Sequence, residues 1–275
     1  MKKIVFFIFF FNVYIIGKEN NIKDIIEKAD SYYSQKKYEE AIEFYKEALP
    51  LAIDIEDIIA LKIKIGDCYF ENKDYSASSE CYKTVLWQFY TFEQKEYVVY
   101  KLCSSIFQSC PKSSEIDLTN VEILLRYIKY YKNNFSNGEY LSEILDFEKT
   151  AEDLLFVNDF SNIKFYYDNK LYFSAIFCCD WFLKKYENKK DTLAEVFLYK
   201  IKSQYELSKR SVKLIKKDVS FEYDFFKKLR QNIILILECM KNEKIYLYNK
   251  EMFDDLFEKC YLLLRNSLCL RKKKN

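Results

Sequence analysis

The strongest constraint on what this chain can fold into is that it repeats itself. From Ala29, small and aromatic residues fall in the order Ala29, Tyr32, Tyr38, Ala41, Tyr45 and Ala48. Starting again 37 residues later, the order is Gly66, Tyr69, Tyr75, Ser78, Tyr82 and Val85. A further step of 37 lands on Cys103, and another copy runs Ile163, Tyr166, Tyr172, Ala175, Cys179 and Phe182. The spacing has a mechanical meaning. A small residue followed by an aromatic three positions on shares one face of a first helix. The aromatic at Tyr38, Tyr75 and Tyr172 lies at a turn and opens a second helix. The small residue three later lets the two helices approach, and the next large residue fills the seam.

Two helices joined this way form the pattern of the tetratricopeptide repeat, whose usual period is about 34 residues. Each linker here therefore carries a few more. A helical bundle with chance matches would not hold three registers in step. The connections read as polar turns: Gln35-Lys36-Lys37, Asn72-Lys73-Asp74 and Asp168-Asn169-Lys170. Gly and Pro, the usual turn residues of β and doubly wound folds, number only 3 and 2, which also favours helices on short polar connections. The expected fold is all-α, a tetratricopeptide-like solenoid of helical hairpins over residues 22–209, with about five repeats. The third repeat is interrupted by a loop around Pro111-Lys112-Ser113-Ser114-Glu115, after which a helix resumes with Leu124, Ile128 and Tyr131 as its buried positions. An amphipathic stretch from Leu141 to Val157 leads into the repeat at Ile163, and Leu193 to Leu207 reads as one more helix. Residues 210–275 form a helical extension with amphipathic stretches Phe221–Cys239 and Met252–Leu270 and a basic tail. Atypical ends of this kind cap solenoids.

Composition removes several function classes. The chain has no histidine, which excludes Ser-His-Asp and Cys-His nucleophilic mechanisms and most zinc-enzyme ligand sets. No glycine loop for phosphate is present, and the carboxylates form no acid/base motif. We therefore expect no catalytic residues, no metal site, no cofactor and no small-molecule substrate. A formal net charge of +2 supplies no field toward nucleic acid. Met1-Lys2-Lys3 precedes an apolar run from Ile4 to Ile16, and Gly17 follows. That pattern suits a signal peptide over residues 1–17, cleaved or kept as an anchor, and implies an exported, periplasmic chain; a buried N-terminal helix is the alternative. The nine cysteines are odd in number and contain no C-x-x-C. Cys68, Cys81, Cys103 and Cys179 fall on helical core positions, as small apolar residues do.

The order of these features resembles the outer-membrane assembly lipoprotein BamD family, over roughly residues 22–209. Tyr97-Val98-Val99-Tyr100 leads to Cys103, and Asp117 stands in the loop that follows, like the family's Tyr-x-x-Tyr segment and its acidic insertion. Phe135-Ser136-Asn137-Gly138-Glu139-Tyr140 stands where the family has its helix-ending Tyr-Pro-Asn-Ser and polar-aromatic pair. Tyr166-Tyr167 to Ala175, with Tyr186 closing the second helix, matches the next repeat. The family's lipidation cysteine has no counterpart here, since the first cysteine is Cys68. The resemblance implies a component of the β-barrel assembly machinery. Its partners would be a BamA-like insertase subunit and unfolded outer-membrane proteins, and its place would be the outer membrane.

Stacked repeats leave a concave groove lined by first-helix residues that face away from the seam. By register these are Asp30, Tyr33 and Ser34, then Asp67, Phe70 and Glu71, then Lys164, Tyr167 and Asp168. Aromatic anchors beside carboxylates suit an extended peptide. The alternative for Tyr33, Phe70 and Tyr167 is simple packing against adjacent helices. The function expected is a non-enzymatic protein-binding scaffold. It is BamD-like on the resemblance; otherwise it is another tetratricopeptide adaptor with an unrelated partner.

Overall fold

A computed structural model of the chain describes residues 22–111, 117–187, 193–215 and 250–272, with the single positions 231, 234 and 238. The segment 1–17 and, apart from those single positions, the stretch Phe221–Cys239 lie outside the described residues. Among the described residues every regular element is a helix. The first, α1, covers 22–34. Then come α2 (Tyr38–Ala48), α3 (Ile55–Glu71), α4 (Tyr75–Gln88), α5 (Lys95–Ser109), α6 (Thr119–Asn134) and α7 (Leu141–Asp168), with a short 3-10 turn at Leu49–Leu51. They are followed by α8 (Tyr172–Lys185), α9 (Leu193–Ile215) and α10 (Lys250–Lys272). This is an all-α array of tetratricopeptide-like hairpins. The chain divides into two compact units, Met1–Leu155 and Phe156–Asn275, each with a core of its own. In the first unit each helix from α2 to α6 packs on the next; in the second, α8 packs on α9 and α9 on α10.

The turns show why so few glycines suffice. After α1, the Lys36 amide donates to the Tyr33 carbonyl at 2.9 Å and the Lys37 amide reaches back to Tyr32 at 3.0 Å. After α3, Lys73 donates to Phe70 and Asp74 to Tyr69; after α7, Lys170 donates to Tyr167 and Leu171 to Tyr166. Each is a Schellman motif, which satisfies the last carbonyls of the helix through one left-handed residue. That residue is Lys36 (φ 61°), Lys73 (φ 63°) and Lys170 (φ 60°), where glycine would sit without strain. All three polar turns expected from the sequence are formed.

The small residues sit at the crossings. Ala29, Ala41 and Ala48 are fully buried in one core, and Ala175 and Cys179 are fully buried in the later hairpin. At Gly66 a Cβ would lie 2.9 Å from the Tyr82 ring, so that ring occupies the space a side chain would need. Ser78 is buried at the neighbouring crossing; its hydroxyl donates to the Gly66 carbonyl at 3.1 Å and lies 2.9 Å from the Ser105 hydroxyl. Leu124, Ile128 and Tyr131 are buried, as the register required. Cys68, Cys103 and Cys179 are buried free thiols, while Cys81 is half-buried.

Two elements are longer than expected. The stretch from Leu141 and the repeat opening at Ile163 are one helix of 28 residues, because no Gly or Pro interrupts the chain between them. Likewise α9 runs 23 residues, to Ile215 rather than Leu207.

Candidate protein-binding face

Four hairpins are each closed by a tyrosine on, or immediately after, the second helix that donates to a carboxylate of the first. Tyr45 donates to Asp30, Tyr82 to Asp67 at 2.5 Å, Tyr131 to Glu96 at 2.6 Å and Tyr186 to Asp159 at 2.6 Å. Tyr45, Tyr82 and Tyr131 are almost wholly buried, so their hydroxyls need these partners. These bonds fix the rotation of the first helices, and with it the face that surrounds the bonded carboxylates.

In the first unit that face is built from α1, α3 and α5. Asp67 is its centre. Its Oδ1 also accepts the Tyr97 hydroxyl at 2.7 Å, which ties α3 to α5. Burial pushes the Asp67 carboxyl above its usual range, against the two tyrosine hydroxyls and Lys101, which stabilise its charge. Lys101 lies 3.6 Å from the centre of the Phe70 ring, a cation–π contact, and 6.0 Å from that of Tyr97. Burial lowers the Lys101 pKa, opposed by the charges of Asp67 and Glu71. Tyr33, on α1, senses the same cluster: burial first, then Asp67 and Glu71, push its hydroxyl up to about 12. The predicted residues Tyr33, Asp67, Phe70 and Glu71 thus belong to one electrostatic neighbourhood. Asp30 stands beside it, accepting from Tyr45 and pairing with Lys64 at 2.5 Å.

The aromatic positions have a double character. Tyr33 meets Tyr38 edge-on at 5.5 Å, Phe70 meets Tyr75 at 5.4 Å, and Tyr167 lies tilted on Tyr172 at 5.7 Å. Each predicted anchor therefore packs on the aromatic that opens its own second helix, yet all three remain only half-buried. Lys164, Tyr167 and Asp168 lie in the second unit. There Lys164 approaches Glu195 at 3.9 Å and the Phe160 ring at 5.0 Å, and Tyr167 meets Tyr199 edge-on at 5.3 Å. The charge of Asp168 adds to the burial that raises the Tyr167 hydroxyl.

Sequence reasoning missed Lys101, Tyr97 and the stack beyond them. Tyr100 stacks on Tyr140 at 4.2 Å, and Phe107 on Phe147 at 4.4 Å. Extending the second 37-residue step beyond Cys103 to the neighbouring positions would have found part of this, since the step carries Lys64 to Lys101 and Tyr33 through Phe70 to Phe107. Asp117, the acidic residue of the inserted loop, closes a local turn just before α6: its Oδ1 accepts from the Thr119 amide at 2.9 Å and the Thr119 hydroxyl at 2.6 Å. These bonds hold its carboxyl below the usual range.

The family model described as tetratricopeptide repeat matches residues 26–52, which run through α1 and α2. That stretch is similar to a single tetratricopeptide repeat. Among solved structures, the chain is similar to the TPR2AB-domain:pHSP90 complex of yeast Sti1. The TM-score is 0.41 and the identity 12%, over 88% of this chain and 99% of that one. No curated protein matches the sequence.

Proposed function

We propose that this protein is a non-enzymatic scaffold that holds a segment of another protein against the first-helix face of its first unit. The observation that carries this reading is the cluster around Asp67. Half-buried Tyr33, Phe70 and Tyr97 stand beside Asp67, Glu71 and Lys101 on three successive first helices fixed by tyrosine–carboxylate bonds. Pre-fixed aromatics lose little entropy on binding, and charges of both signs beside them give a bound segment direction.

The finer assignment rests on the sequence resemblance. The Tyr97-x-x-Tyr100 segment, the loop after Cys110 and the Phe135–Tyr140 junction support a BamD-like role in delivering β-barrel proteins to a membrane insertase. The second reading, a tetratricopeptide adaptor with an unrelated partner, is favoured by the missing lipidation cysteine. Affinity capture from envelope membranes separates them. The first predicts recovery of a barrel-assembly insertase, lost when Tyr33 and Phe70 are both replaced by alanine. Recovery of soluble partners alone would overturn it and leave the adaptor.

A further inference from the structure

A cleft of about 380 Å³ opens in the first unit between α2, α3 and α4. Leu49, Ile65, Ala77 and Cys81 give it an apolar lining, and Lys46, Lys62 and Glu80 bring charge to it. It shares no residue with the cluster around Asp67. Lys46 departs from its register mate. Lys83, 37 residues on, pairs with Glu80 one turn before it at 2.9 Å. Glu43 stands one turn before Lys46 in the same way, yet neither it nor Glu47 pairs with that lysine. Lys46 instead donates to the Tyr69 hydroxyl at 2.9 Å and lies 5.4 Å from the centre of that ring. Lys62 donates to the Gln88 amide oxygen at 2.6 Å. Its neighbours one turn away on α3 are Ile58, Ile59, Ile65 and Gly66, none of them acidic. Among the described residues, both ammonium groups are therefore bonded only to neutral groups. The acids nearby are already engaged: Glu80 with Lys83, and Asp74 with the Ala77 amide at 3.0 Å. Burial raises the pKa of the Cys81 thiol and both lysines oppose the rise, so their charge is felt inside the cleft.

Two ammonium groups without a counter-charge beside an apolar cleft call for an anion that carries an apolar chain. Size narrows the class. A water takes about 30 Å³ of the liquid, so the cleft holds about a dozen non-hydrogen atoms. A two-chain lipid is too large for that. A peptide backbone would bring amides and carbonyls that this lining leaves unsatisfied, whereas an alkyl chain brings none. We propose that the α2–α3–α4 cleft binds a free medium-chain fatty acid. Lys46 and Lys62 would meet its carboxylate, and its chain would lie along Leu49, Ile65, Ala77 and Cys81. This site goes beyond the protein-binding face and can be filled together with it, since the two share no residue.

Cys81 is the reporter. Its alkylation by iodoacetamide in the full-length protein, followed peptide by peptide in a mass spectrometer, reads this cleft and ignores binding at residues 4–16. Decanoate matches the cleft in size. Below its micelle-forming concentration it should slow alkylation of Cys81 and leave the half-buried Cys110 and Cys178 unaffected. Each buried methylene is worth about fourfold in affinity, so octanoate should need about fifteenfold more for half-protection. The pair K46Q/K62Q should raise the decanoate needed by about tenfold or more, each protein being compared with its own rate without ligand and with helical circular dichroism unchanged. Decyltrimethylammonium, with the same chain and the opposite charge, should protect far less. Unchanged Cys81 alkylation with decanoate would overturn the proposal, as would equal protection by decyltrimethylammonium or an unchanged decanoate requirement in K46Q/K62Q. Equal slowing at Cys110 and Cys178 would also overturn it. So would protection that follows protein concentration without decanoate, which would assign the cleft to a second copy.

Discussion

Replacing Asp67 tests the logic of the central cluster, and the structure fixes both sign and size. Asp67→Ala removes the acceptor of two tyrosine hydroxyls at once, those of Tyr82 and Tyr97. Tyr82 is wholly buried, so no water replaces the lost partner. A stranded buried hydroxyl costs about 1–3 kcal/mol, which puts the variant about 3 kcal/mol down after allowance for the less buried Tyr97. Asp67→Asn is the informative contrast. Both hydroxyls donate to the same oxygen, and an amide carbonyl can still accept them. What Asn lacks is the buried charge. The carboxyl has its pKa raised in the folded protein, chiefly by burial, so the folded state holds its proton more tightly than the unfolded chain. The stability associated with Asp67 is then fully present below the unfolded pKa and declines as pH rises through the folded pKa. Relative to wild type, Asp67→Asn should therefore gain ground as pH rises from the acid range toward neutrality. Hydrogen exchange of α3 and α4 amides in the full chain, corrected for intrinsic rates, reads their opening free energy at each pH. The reasoning fails if Asp67→Ala changes that energy by less than about 0.5 kcal/mol, the scatter of ordinary surface changes. It fails equally if Asp67→Asn loses ground as pH rises.

Lys36→Gly, Lys73→Gly and Lys170→Gly should each stabilise their hairpin by up to about 1 kcal/mol, since each lysine holds a left-handed conformation; urea midpoints will check this. Gly66→Ala should destabilise by about 1–2 kcal/mol despite alanine's better helix propensity, because the new Cβ meets the pinned Tyr82 ring; thermal melts read it. Tyr131→Phe should cost about 1–2 kcal/mol, as both Glu96 and the Tyr140 amide lose their bond to the hydroxyl, and exchange at the Tyr140 amide should accelerate.

The repeat arithmetic made the architecture legible because packing constrains it at every crossing. Ala29 and Gly66 must be small where helices touch, and Tyr45 and Tyr82 must fill what remains. The tyrosine–carboxylate bonds were not read from register, which turned Asp30 and Asp67 away from the seam, although both residues precede their tyrosines by the same interval. In the later hairpins the interval stretches, from Glu96 to Tyr131 and from Asp159 to Tyr186, because the connections differ in length. The fusion into α7 was missed because breakers end a helix more legibly than their absence prolongs one. The cluster around Asp67 was only partly legible. Tyr33, Asp67, Phe70 and Glu71 came from register alone. Lys101 did not, because its role depends on α5 lying beside α3, which no single-helix pattern contains.

The central claim, that the α1–α3–α5 face holds a protein segment, is tested most directly by site-specific photocrosslinking in cells. A photoreactive phenylalanine would be placed at Tyr33 or Phe70 and, as the control, at the outward position Glu43 of α2. The account predicts one discrete protein adduct from Tyr33 and Phe70, weakened by Lys101→Glu, and none from Glu43. Adducts from Glu43 alone, or the same adduct from all three positions, would contradict it.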